Sequence, residues 1–253
     1  MIAFHKNNPK KCIKILFIIG MLLIITGCAI LYNIPQRIER EMSKEIRTPQ
    51  GVYLGDLEFG TVEGKGTFTW NNGSCYSGSW NNNNISGVGT LTLNTREALT
   101  GTFNKGKFVS GTYTYENKNA KYEITFKDGE ITNATIKYSN GTVYEGEYSE
   151  NGFTSGGTLK YFNGDEYTGD FANGKKEGGG KYTWADGAYY VGDWENDMMN
   201  GDGEYYYPEG SSGYKLEGNF SNNQPHGELS YYVNENKSYI TNWKNGKCIK
   251  LTE

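Results

Sequence analysis

The 253-residue sequence predicts an all-β protein: an elongated, single-layer antiparallel sheet of repeated β-hairpins, preceded by one transmembrane helix. Three observations predict this fold. A unit of roughly 23 residues recurs through most of the chain, as it does in repeat proteins. Glycine (35) and tyrosine (21) are abundant, which is typical of short strands and tight turns. The one long, uncharged apolar stretch of the sequence lies before the repeats begin.

The N-terminal stretch has the pattern of a membrane anchor. Residues 1–14 carry lysines and no acidic residue, and residues 15–32 follow without any charge. As a helix, residues 15–32 would span about 27 Å, close to the hydrocarbon thickness of a bilayer. The flanking lysines favour a cytoplasmic N-terminus. We therefore expect a single-pass signal anchor in the cell membrane, with the repeats outside the cytoplasm.

Two other interpretations of this stretch stay open. The sequence from Ile25 to Cys28 resembles a bacterial lipoprotein box, in which cleavage leaves a lipidated Cys28. Residues 29–32 remain apolar, however, whereas lipoproteins usually turn polar just after the cysteine. An ordinary cleaved signal peptide is the third interpretation. All three place the repeats outside the cytoplasm, at or near a membrane.

Residues 33–50 are expected to form a juxtamembrane helical linker. Apolar residues four positions apart make a weak amphipathic stripe: Ile34, Ile38, Met42 and Ile46. The Thr48-Pro49 dipeptide would end such a helix. The sequence thus predicts a short helical stalk before a repeat domain that covers residues 51–253.

Each repeat begins with a strand of the pattern Tyr-x-Gly-x-aromatic. The leading residues are Tyr53, Tyr76, Leu99, Tyr122, Tyr144, Tyr167, Tyr190, Leu216 and Tyr239. Positions one, three and five share a face, because side chains alternate along a strand. A second strand alternates in the same way, as at Phe68 and Trp70. The Asn72-Gly73, Asn140-Gly141, Asn163-Gly164 and Asp186-Gly187 dipeptides lie between repeats and predict tight hairpin turns with positive φ at both positions.

The recurring glycines have predicted roles. A glycine at the third position of the first strand, such as Gly78, lies between two large side chains. A neighbouring aromatic ring can lie flat across it, which is known as aromatic rescue. Glycine pairs such as Gly178 and Gly180 begin the second strand, where we expect a sharp bend or a close approach of two backbones.

This pattern resembles the membrane occupation and recognition nexus (MORN) repeat, whose consensus begins Tyr-x-Gly-x-Trp and carries a downstream Gly-x-Gly. The resemblance covers about Gly51 to Lys247 and is weakest between Leu99 and Gly141. There Ile124 replaces the first glycine and Gly111 falls one residue early, so a bulge or register slip is expected. The resemblance implies an extended sheet used for protein contacts or membrane association. Family members with enzyme activity carry a separate catalytic domain, and no residues are left over for one here.

The alternation places the aromatic rings on one face of the sheet, and that face must be covered. The sheet can twist to bury the rings on itself, two sheets can pack together, or a partner can lie on the face. We predict that the most regular repeats form the binding surface. The residues concerned are Tyr167, Phe171, Tyr182, Trp184, Tyr190, Trp194, Tyr205 and Tyr207.

Composition argues against several other functions. The net charge of −4 gives no reason to expect nucleic acid, which needs a basic face. His226 is the one histidine in the repeats, so no metal site and no Ser-His-Asp set is expected, and no cofactor is predicted. The glycine-rich run from Gly174 to Lys181 lacks the spacing and the following helix of a phosphate loop. Cys75 and Cys248 are predicted to lie roughly 65–70 Å apart, too far for a disulfide.

The sequence therefore predicts a non-enzymatic, membrane-tethered scaffold for protein–protein or membrane-surface interaction, including self-association. The alternative is a cell-wall carbohydrate- or choline-binding protein, because other aromatic-glycine hairpin repeats bind such ligands by stacking and cation–π contacts. A third hypothesis is a glycosidase that uses Glu147, Asp170 and Asp193, which occupy the same repeat position. We interpret that column as a solvated stripe, since nothing in the pattern raises one pKa above another.

Overall fold

The computed structural model describes residues 45–149, 152–244 and 246–252. Its nineteen strands form one open antiparallel sheet. The first strands are β1 (Glu45–Thr48), β2 (Gly51–Glu58), β3 (Thr61–Trp70), β4 (Cys75–Asn81), β5 (Asn84–Thr92), β6 (Ala98–Asn104), β7 (Lys107–Glu116), β8 (Ala120–Lys127) and β9 (Glu130–Tyr138). The others are β10 (Val143–Ser149), β11 (Gly152–Lys160), β12 (Glu166–Ala172), β13 (Lys175–Thr183), β14 (Tyr189–Glu195), β15 (Met198–Tyr206), β16 (Lys215–Ser221), β17 (Gln224–Asn234), β18 (Lys237–Lys244) and β19 (Lys247–Thr252).

The chain divides into two compact units, an N-terminal unit up to Thr132 and a C-terminal unit from Asn133. Within the N-terminal unit each strand from β1 to β8 pairs antiparallel with the next. Within the C-terminal unit the same holds from β9 to β19. The predicted antiparallel sheet of repeated hairpins is confirmed.

The predicted segments before the repeats have different outcomes. The membrane segment at residues 15–32, with Cys28, lies outside the described residues. The part of the chain that the structure describes contains no helix long and apolar enough to cross a bilayer. The helical linker predicted for residues 33–50 is wrong for residues 45–48, which form β1 and pair with β2. A free strand edge on β2 satisfies more backbone groups than one helical turn could, so pairing overrides the weak apolar stripe.

The turns between repeats differ from the predicted type. The Asn-Gly and Asp-Gly dipeptides were expected to have positive φ at both positions, and this is wrong. Only the glycine does, with φ of 88° at Gly73. The Asn72 side chain instead accepts a hydrogen bond from the Ser74 amide at 2.9 Å. That bond favours a type I turn followed by a left-handed glycine.

The turns inside each hairpin are the ones with two left-handed residues. Examples are Asn82-Asn83, Asn196-Asp197 and Asn222-Asn223, in which all φ values lie between 47° and 71°. Both positions are positive, as in a type I′ turn, whose twist matches that of the flanking strands. Asn and Asp tolerate this region better than other non-glycine residues, which explains their recurrence.

Glycines from successive strands face one another in continuous rows. In the N-terminal unit the row is Gly55, Gly66, Gly78, Gly89, Gly101 and Gly111. In the C-terminal unit it is Gly146, Gly157, Gly169, Gly180, Gly192, Gly203 and Gly218. The repeat tyrosine lies on this row: a Cβ added at Gly180 would come 2.3 Å from the Tyr167 hydroxyl. The predicted aromatic rescue is therefore confirmed.

The first glycine of each second-strand pair supplies the predicted bend. Gly178 has a φ of 69°, and the register between β12 and β13 shifts between Gly169 and Phe171. Gly64 and Gly87 adopt the same left-handed conformation in the N-terminal unit. At the shift between β12 and β13, β13 has two more residues than β12, and they form a bulge that re-aligns the two strands before the next turn.

The first-strand rings form a linear core. The leading tyrosine of one repeat meets the fifth-position ring of the next edge-on, at 5.3 Å for Tyr167 and Trp194 and 5.0 Å for Tyr190 and Phe220. Tyr167 and Tyr190 are 0 % exposed. Edge-to-face contact is the arrangement that aromatic quadrupoles favour. These rings are therefore covered by the sheet itself, which is the first of the three possibilities that the sequence left open.

The irregular stretch of the repeat pattern keeps the sheet but loses the glycine row. Gly111 still faces Gly101, and the register of β6 and β7 shifts at Thr102 and Phe103, so the expected bulge is present. The row ends at Gly111, which faces Phe126 in β8. β8 alternates strictly between buried and exposed residues, as an ordinary half-buried strand does.

Candidate interaction site

Partly exposed aromatic residues line the ends of the second strands in the C-terminal unit. Six of them form a chain of ring contacts that we call the aromatic strip: Tyr161, Tyr182, Trp184, Tyr205, Tyr207 and Tyr231. The ring centroid of Trp184 lies 4.8 Å from that of Tyr182 and 5.4 Å from that of Tyr205. The strip thus presents contiguous ring surface that the sheet leaves partly uncovered.

Strand register explains why these rings lie side by side. Tyr182 faces Tyr190, and Tyr190 faces Tyr205 across the next strand pair. Tyr190 lies down on the glycine row and is fully buried, whereas Tyr182 and Tyr205 flank it and remain partly exposed. Here the first strand β14 therefore supplies a core ring, and the second strands β13 and β15 supply partly exposed rings.

The eight aromatic residues predicted as a binding surface fall into two groups. Tyr167, Phe171, Tyr190 and Trp194 are at most 5 % exposed and belong to the linear core. The other four, Tyr182, Trp184, Tyr205 and Tyr207, belong to the aromatic strip. The structure adds Tyr161 and Tyr231 to them. Their binding role stays a prediction.

A buried lysine lies beneath the strip. Lys176 is 8 % exposed and faces Phe171 across the hairpin. The other hairpins of this type carry apolar residues at the corresponding position: Val62, Ile85, Phe108, Phe153, Met199 and Pro225. Sequence reasoning missed Lys176, although a lysine in an otherwise apolar column was a signal that could have found it.

Four aromatic rings surround the Lys176 ammonium, and we call this group the Lys176 box. Its Nζ lies 4.5 Å from the Trp194 ring centroid, 4.7 Å from Tyr182, 5.6 Å from Tyr167 and 6.0 Å from Tyr161. All four distances are within the range of cation–π attraction. Two of the four rings, Tyr161 and Tyr182, are also members of the aromatic strip.

Two carboxylates act on the box. Burial lowers the pKa of Lys176, while the charges of Asp197 and Asp165 oppose that effect. Desolvation works against ionisation of Asp165, but hydrogen bonds from Tyr182, Asn163 and the Ala185 amide hold its pKa below the usual value. The Tyr182 hydroxyl donates to Asp165 at 2.6 Å. Asp165 is therefore an ionised acceptor at the edge of the strip.

Tyr161 and Tyr205 of the strip remain neutral at ordinary pH. Burial, together with the charges of Asp197 and Asp165, raises the pKa of Tyr161 to about 12. Burial and then Asp186 raise the pKa of Tyr205. These hydroxyls are thus available as hydrogen-bond donors. The carboxylates of Asp165, Asp186 and Asp197 make the surroundings of the strip acidic.

The opposite face of the sheet is mainly polar. Hydroxyl pairs cross adjacent strands, as between Thr158 and Thr168 at 3.2 Å. A second aromatic cluster with two lysines lies there in the C-terminal unit, and sequence reasoning missed it: Tyr189, Tyr206, Tyr214, Tyr232, Lys181 and Lys215. Lys215 also contacts Glu204 at 2.7 Å and Glu217 at 2.8 Å. Its charge is therefore already compensated.

The acidic column has a structural explanation. The Asp193 carboxylate accepts a hydrogen bond from the Asp202 amide at 3.1 Å, next to the bulge at Gly201. Asp56 does the same for the Lys65 amide at 3.0 Å, beside Gly64. Carboxylates at this repeat position satisfy backbone groups that the bulge removes from the strand ladder.

Other candidate chemistry gains no support. No group of His, Cys, Asp or Glu within the described ranges is arranged to hold a metal ion. His226 is exposed, and Cys75 and Cys248 are free thiols. The run from Gly174 to Lys181 contains a hairpin turn and strand β13 rather than a loop followed by a helix.

The fold and the site together define a class of protein: an open sheet of tandem β-hairpins with an aromatic strip on one face. Within that class, six stretches of the chain match the family model of the MORN repeat: residues 53–75, 76–95, 100–120, 167–189, 190–212 and 217–228. These six stretches are therefore similar to MORN repeats. The unmatched interval between residues 120 and 167 includes most of β8, which carries no glycine of the row.

No curated protein matches the chain in sequence. Among solved structures, it is similar to the TCP domain of SAS-4 (dCPAP) of Drosophila melanogaster, in complex with a proline-rich motif of Ana2 (dSTIL). The identity is 14 %, the match covers 75 % of this chain and 97 % of that chain, and the TM-score is 0.37.

Proposed function

We propose that this protein is a non-catalytic repeat scaffold that binds a segment of a protein partner on its aromatic strip. The observation that carries the proposal is the run of six partly exposed rings in mutual contact. Tyrosine and tryptophan give large contact area with a polar tip, and they are enriched at the centres of protein interfaces. A scaffolding role is also the one that MORN repeats suggest.

The strip suits an extended segment because its rings are fixed before any partner arrives. Tyr182 stands on β13 and Tyr205 on β15, and both strands pair with β14. The Trp184 ring contacts the rings of both tyrosines. Rigid side chains lose little conformational entropy on binding, so more of the contact energy appears as affinity. A continuous row of rings matches an extended peptide better than a compact ligand.

Membrane tethering is part of this proposal and rests on the sequence of residues 1–32. The intact mass of the protein extracted from membranes tests it. A signal anchor leaves the full-length mass, whereas a lipoprotein loses the residues before Cys28 and gains acyl chains. The mass of an unacylated chain that lacks its first residues, found in the soluble fraction, would contradict tethering.

The choline-binding alternative is favoured by one observation, the Lys176 box. The rings of neighbouring hairpins do form a cation cage, as quaternary ammonium recognition requires. The chain's own lysine fills that cage, however, with its Nζ 4.5 Å from the Trp194 ring centroid. We therefore rank a protein partner first and include choline as a competitor in the test.

The test is selection of peptides from a random displayed library on the full-length protein, followed by affinity measurement by fluorescence anisotropy. Trp184→Ala is expected to weaken the selected peptides about thirtyfold, which corresponds to roughly 2 kcal/mol. Tyr189→Ala removes a partly exposed ring from the opposite face and serves as the matched control. Circular dichroism establishes that both variants remain folded.

Three outcomes would contradict the proposal. In the first, the selected peptides bind the Trp184→Ala protein as tightly as the native protein. In the second, Tyr189→Ala weakens them as much as Trp184→Ala does; either result would place the binding surface elsewhere. In the third, selection returns no binding peptide, while choline or a cell-wall polymer binds in a Trp184-dependent manner. The last result would establish the ligand-binding alternative.

A further inference from the structure

We propose that the segment captured by the aromatic strip is basic, with lysine or arginine side chains that lie against the strip's rings and among its carboxylates. The inference rests on the proposed function and names the chemistry of the partner. It draws on the Lys176 box, on the distribution of charge around the strip, and on the position of Lys176 as the one lysine over the strip's rings among the described residues.

The Lys176 box is an example, within the chain itself, of how this ring surface holds a cation. The Lys176 ammonium lies 4.7 Å from the Tyr182 ring and 6.0 Å from the Tyr161 ring, both of which continue into the strip. An alkylammonium group therefore already packs against one end of the surface. Arginine and lysine side chains of a partner can pack against Trp184, Tyr205 and Tyr207 in the same way.

Carboxylates border the strip from Tyr161 to Tyr205. Asp165 accepts a hydrogen bond from Tyr182 at 2.6 Å, and Asp197 accepts one from the Lys176 amide at 2.9 Å. Asp186 lies in the exposed turn two residues after Trp184, and its charge acts on Tyr205. A cation that approaches the rings thus meets favourable potential from three acidic groups.

The lysines of the C-terminal unit offset these charges only in part, through Lys176. Among the described residues, Lys176 is the one lysine positioned over rings of the strip, and it is buried beneath them. Lys181, Lys215 and Lys237 lie over the rings of other tyrosines. The surface is therefore aromatic and acidic, which suits a basic segment and opposes an anionic lipid surface.

The test compares four fluorescent peptides of equal length on the full-length protein. Each has on the order of ten residues, enough to cover the strip in extended form. One is rich in lysine and arginine, one is rich in glutamate, one is proline-rich and uncharged, and one is a neutral glycine-serine peptide. Vesicles of anionic lipid form a fifth arm. The basic peptide is expected to bind at least tenfold more tightly than the other three, and to weaken about thirtyfold with Trp184→Ala.

Charge variants isolate the electrostatic part of the proposal. Asp186→Asn is conservative for the fold, because Asn72, Asn140 and Asn163 occupy the same turn position in other repeats. It is expected to weaken the basic peptide about threefold, with a smaller effect at high salt. Asp202→Asn makes the same change in charge on the opposite face and is the matched control.

Lys176→Met should have the opposite effect to Asp186→Asn on binding of the basic peptide. Met199 occupies the equivalent position in the next hairpin, so the substitution fits the fold. Removing the resident cation should strengthen binding of the basic peptide about twofold and should not strengthen binding of the glutamate-rich one. Equal effects of Asp186→Asn and Asp202→Asn, or weaker binding of the basic peptide to Lys176→Met, would overturn the role of charge.

The outcomes also separate this inference from the proposed function. Trp184-dependent binding of the proline-rich or glutamate-rich peptide, without the basic one, would overturn the inference and leave the scaffold function standing. Trp184-dependent binding of the anionic vesicles alone would replace the protein partner with a membrane. If no peptide binds in a Trp184-dependent manner, both the inference and the proposed function fail.

Discussion

In the regular repeats, the leading tyrosine is held in place by residues that have no side chain. The Tyr167 ring lies across Gly169 and Gly180, and its hydroxyl donates to the Asp170 carbonyl oxygen at 2.9 Å. The same arrangement recurs at Tyr76, whose hydroxyl donates to the Ser79 carbonyl oxygen at 3.1 Å. The ring is therefore buried flat against the backbone, and its polar tip is satisfied. Any side chain on the glycine row would occupy the volume of the ring.

Neighbouring glycines in one strand provide a residue-scale prediction. Gly180→Ala should lower the free energy of unfolding by about 3 kcal/mol, because the new methyl group overlaps the Tyr167 ring and forces the core to shift. Gly179→Ala is the control, since a Cβ there meets no atom within 4 Å. It should change stability by less than about 0.5 kcal/mol. Urea denaturation measures both, and equal losses would contradict the explanation.

Successive hairpins are joined by a bond that repeats along the sheet. The turn residue Asn223 donates its amide to the Met199 carbonyl oxygen at 3.0 Å and accepts the Met199 amide on its side chain at 2.8 Å. Asp197 makes the same pair with Lys176, at 3.1 and 2.9 Å. Each turn therefore satisfies the strand of the preceding hairpin, in addition to closing its own.

This reciprocal bond leads to a prediction at the level of the hairpin. Asn223→Gly keeps the left-handed conformation, with a φ of 66° in the native turn, but removes the side-chain acceptor. It should lower the free energy of unfolding by about 1–2 kcal/mol, because the Met199 amide loses its partner. Asn223→Asp retains an acceptor, as Asp197 does, and should be close to neutral. Faster hydrogen exchange at the Met199 amide in the glycine variant alone would identify the cause.

At the scale of the whole molecule, the buried leading tyrosines of five repeats share one electrostatic effect, a raised pKa. Burial is the main cause that raises the pKa of Tyr53 and of Tyr76 to about 12, and burial also raises the pKa of Tyr144, Tyr167 and Tyr190. Each of these five repeats thus favours the neutral phenol when folded. In the unfolded chain these tyrosines ionise near pH 10.

The consequence is a steep loss of stability in alkali. Below about pH 10 both states keep their phenol protons, so the tyrosines give no pH dependence. Between pH 10 and the higher pKa values of the folded state, the unfolded chain has released more protons, and the free energy of unfolding should fall as pH rises. Urea denaturation at several pH values, with tyrosinate absorbance as a second signal, measures this.

A matched pair of variants assigns the alkaline effect to the buried tyrosines. Tyr167→Phe should reduce the dependence of stability on pH above pH 10, because one buried phenol is removed. It should also lower stability by about 1 kcal/mol at pH 8, since the hydrogen bond to the Asp170 carbonyl oxygen is lost. Tyr214→Phe changes a tyrosine that is 38 % exposed and should leave both quantities near the native values. An unchanged slope in Tyr167→Phe would contradict the assignment.

Much of the fold could be predicted from the sequence because each repeat specifies its own hairpin. The spacing of Tyr76, Gly78 and Trp80 defines one strand and the face it buries, and Gly87 marks the bulge that follows. These are local properties of φ and of side-chain alternation, so they can be read without knowledge of the neighbouring strands. The predicted helix over residues 45–48 failed because a weak local stripe was overridden by pairing with β2.

The sequence by itself determined the repeat: where strands run, where they turn, and which face carries the rings. Only the tertiary structure decided which rings are core and which are surface. Tyr190 is buried and Tyr205, directly across from it, is partly exposed, although both are tyrosines on the same face. The difference arises between strands, because one ring lies down on glycines of the adjacent strand and its neighbour does not. The Lys176 box has the same origin, since its rings come from separate segments that only the packed sheet brings together.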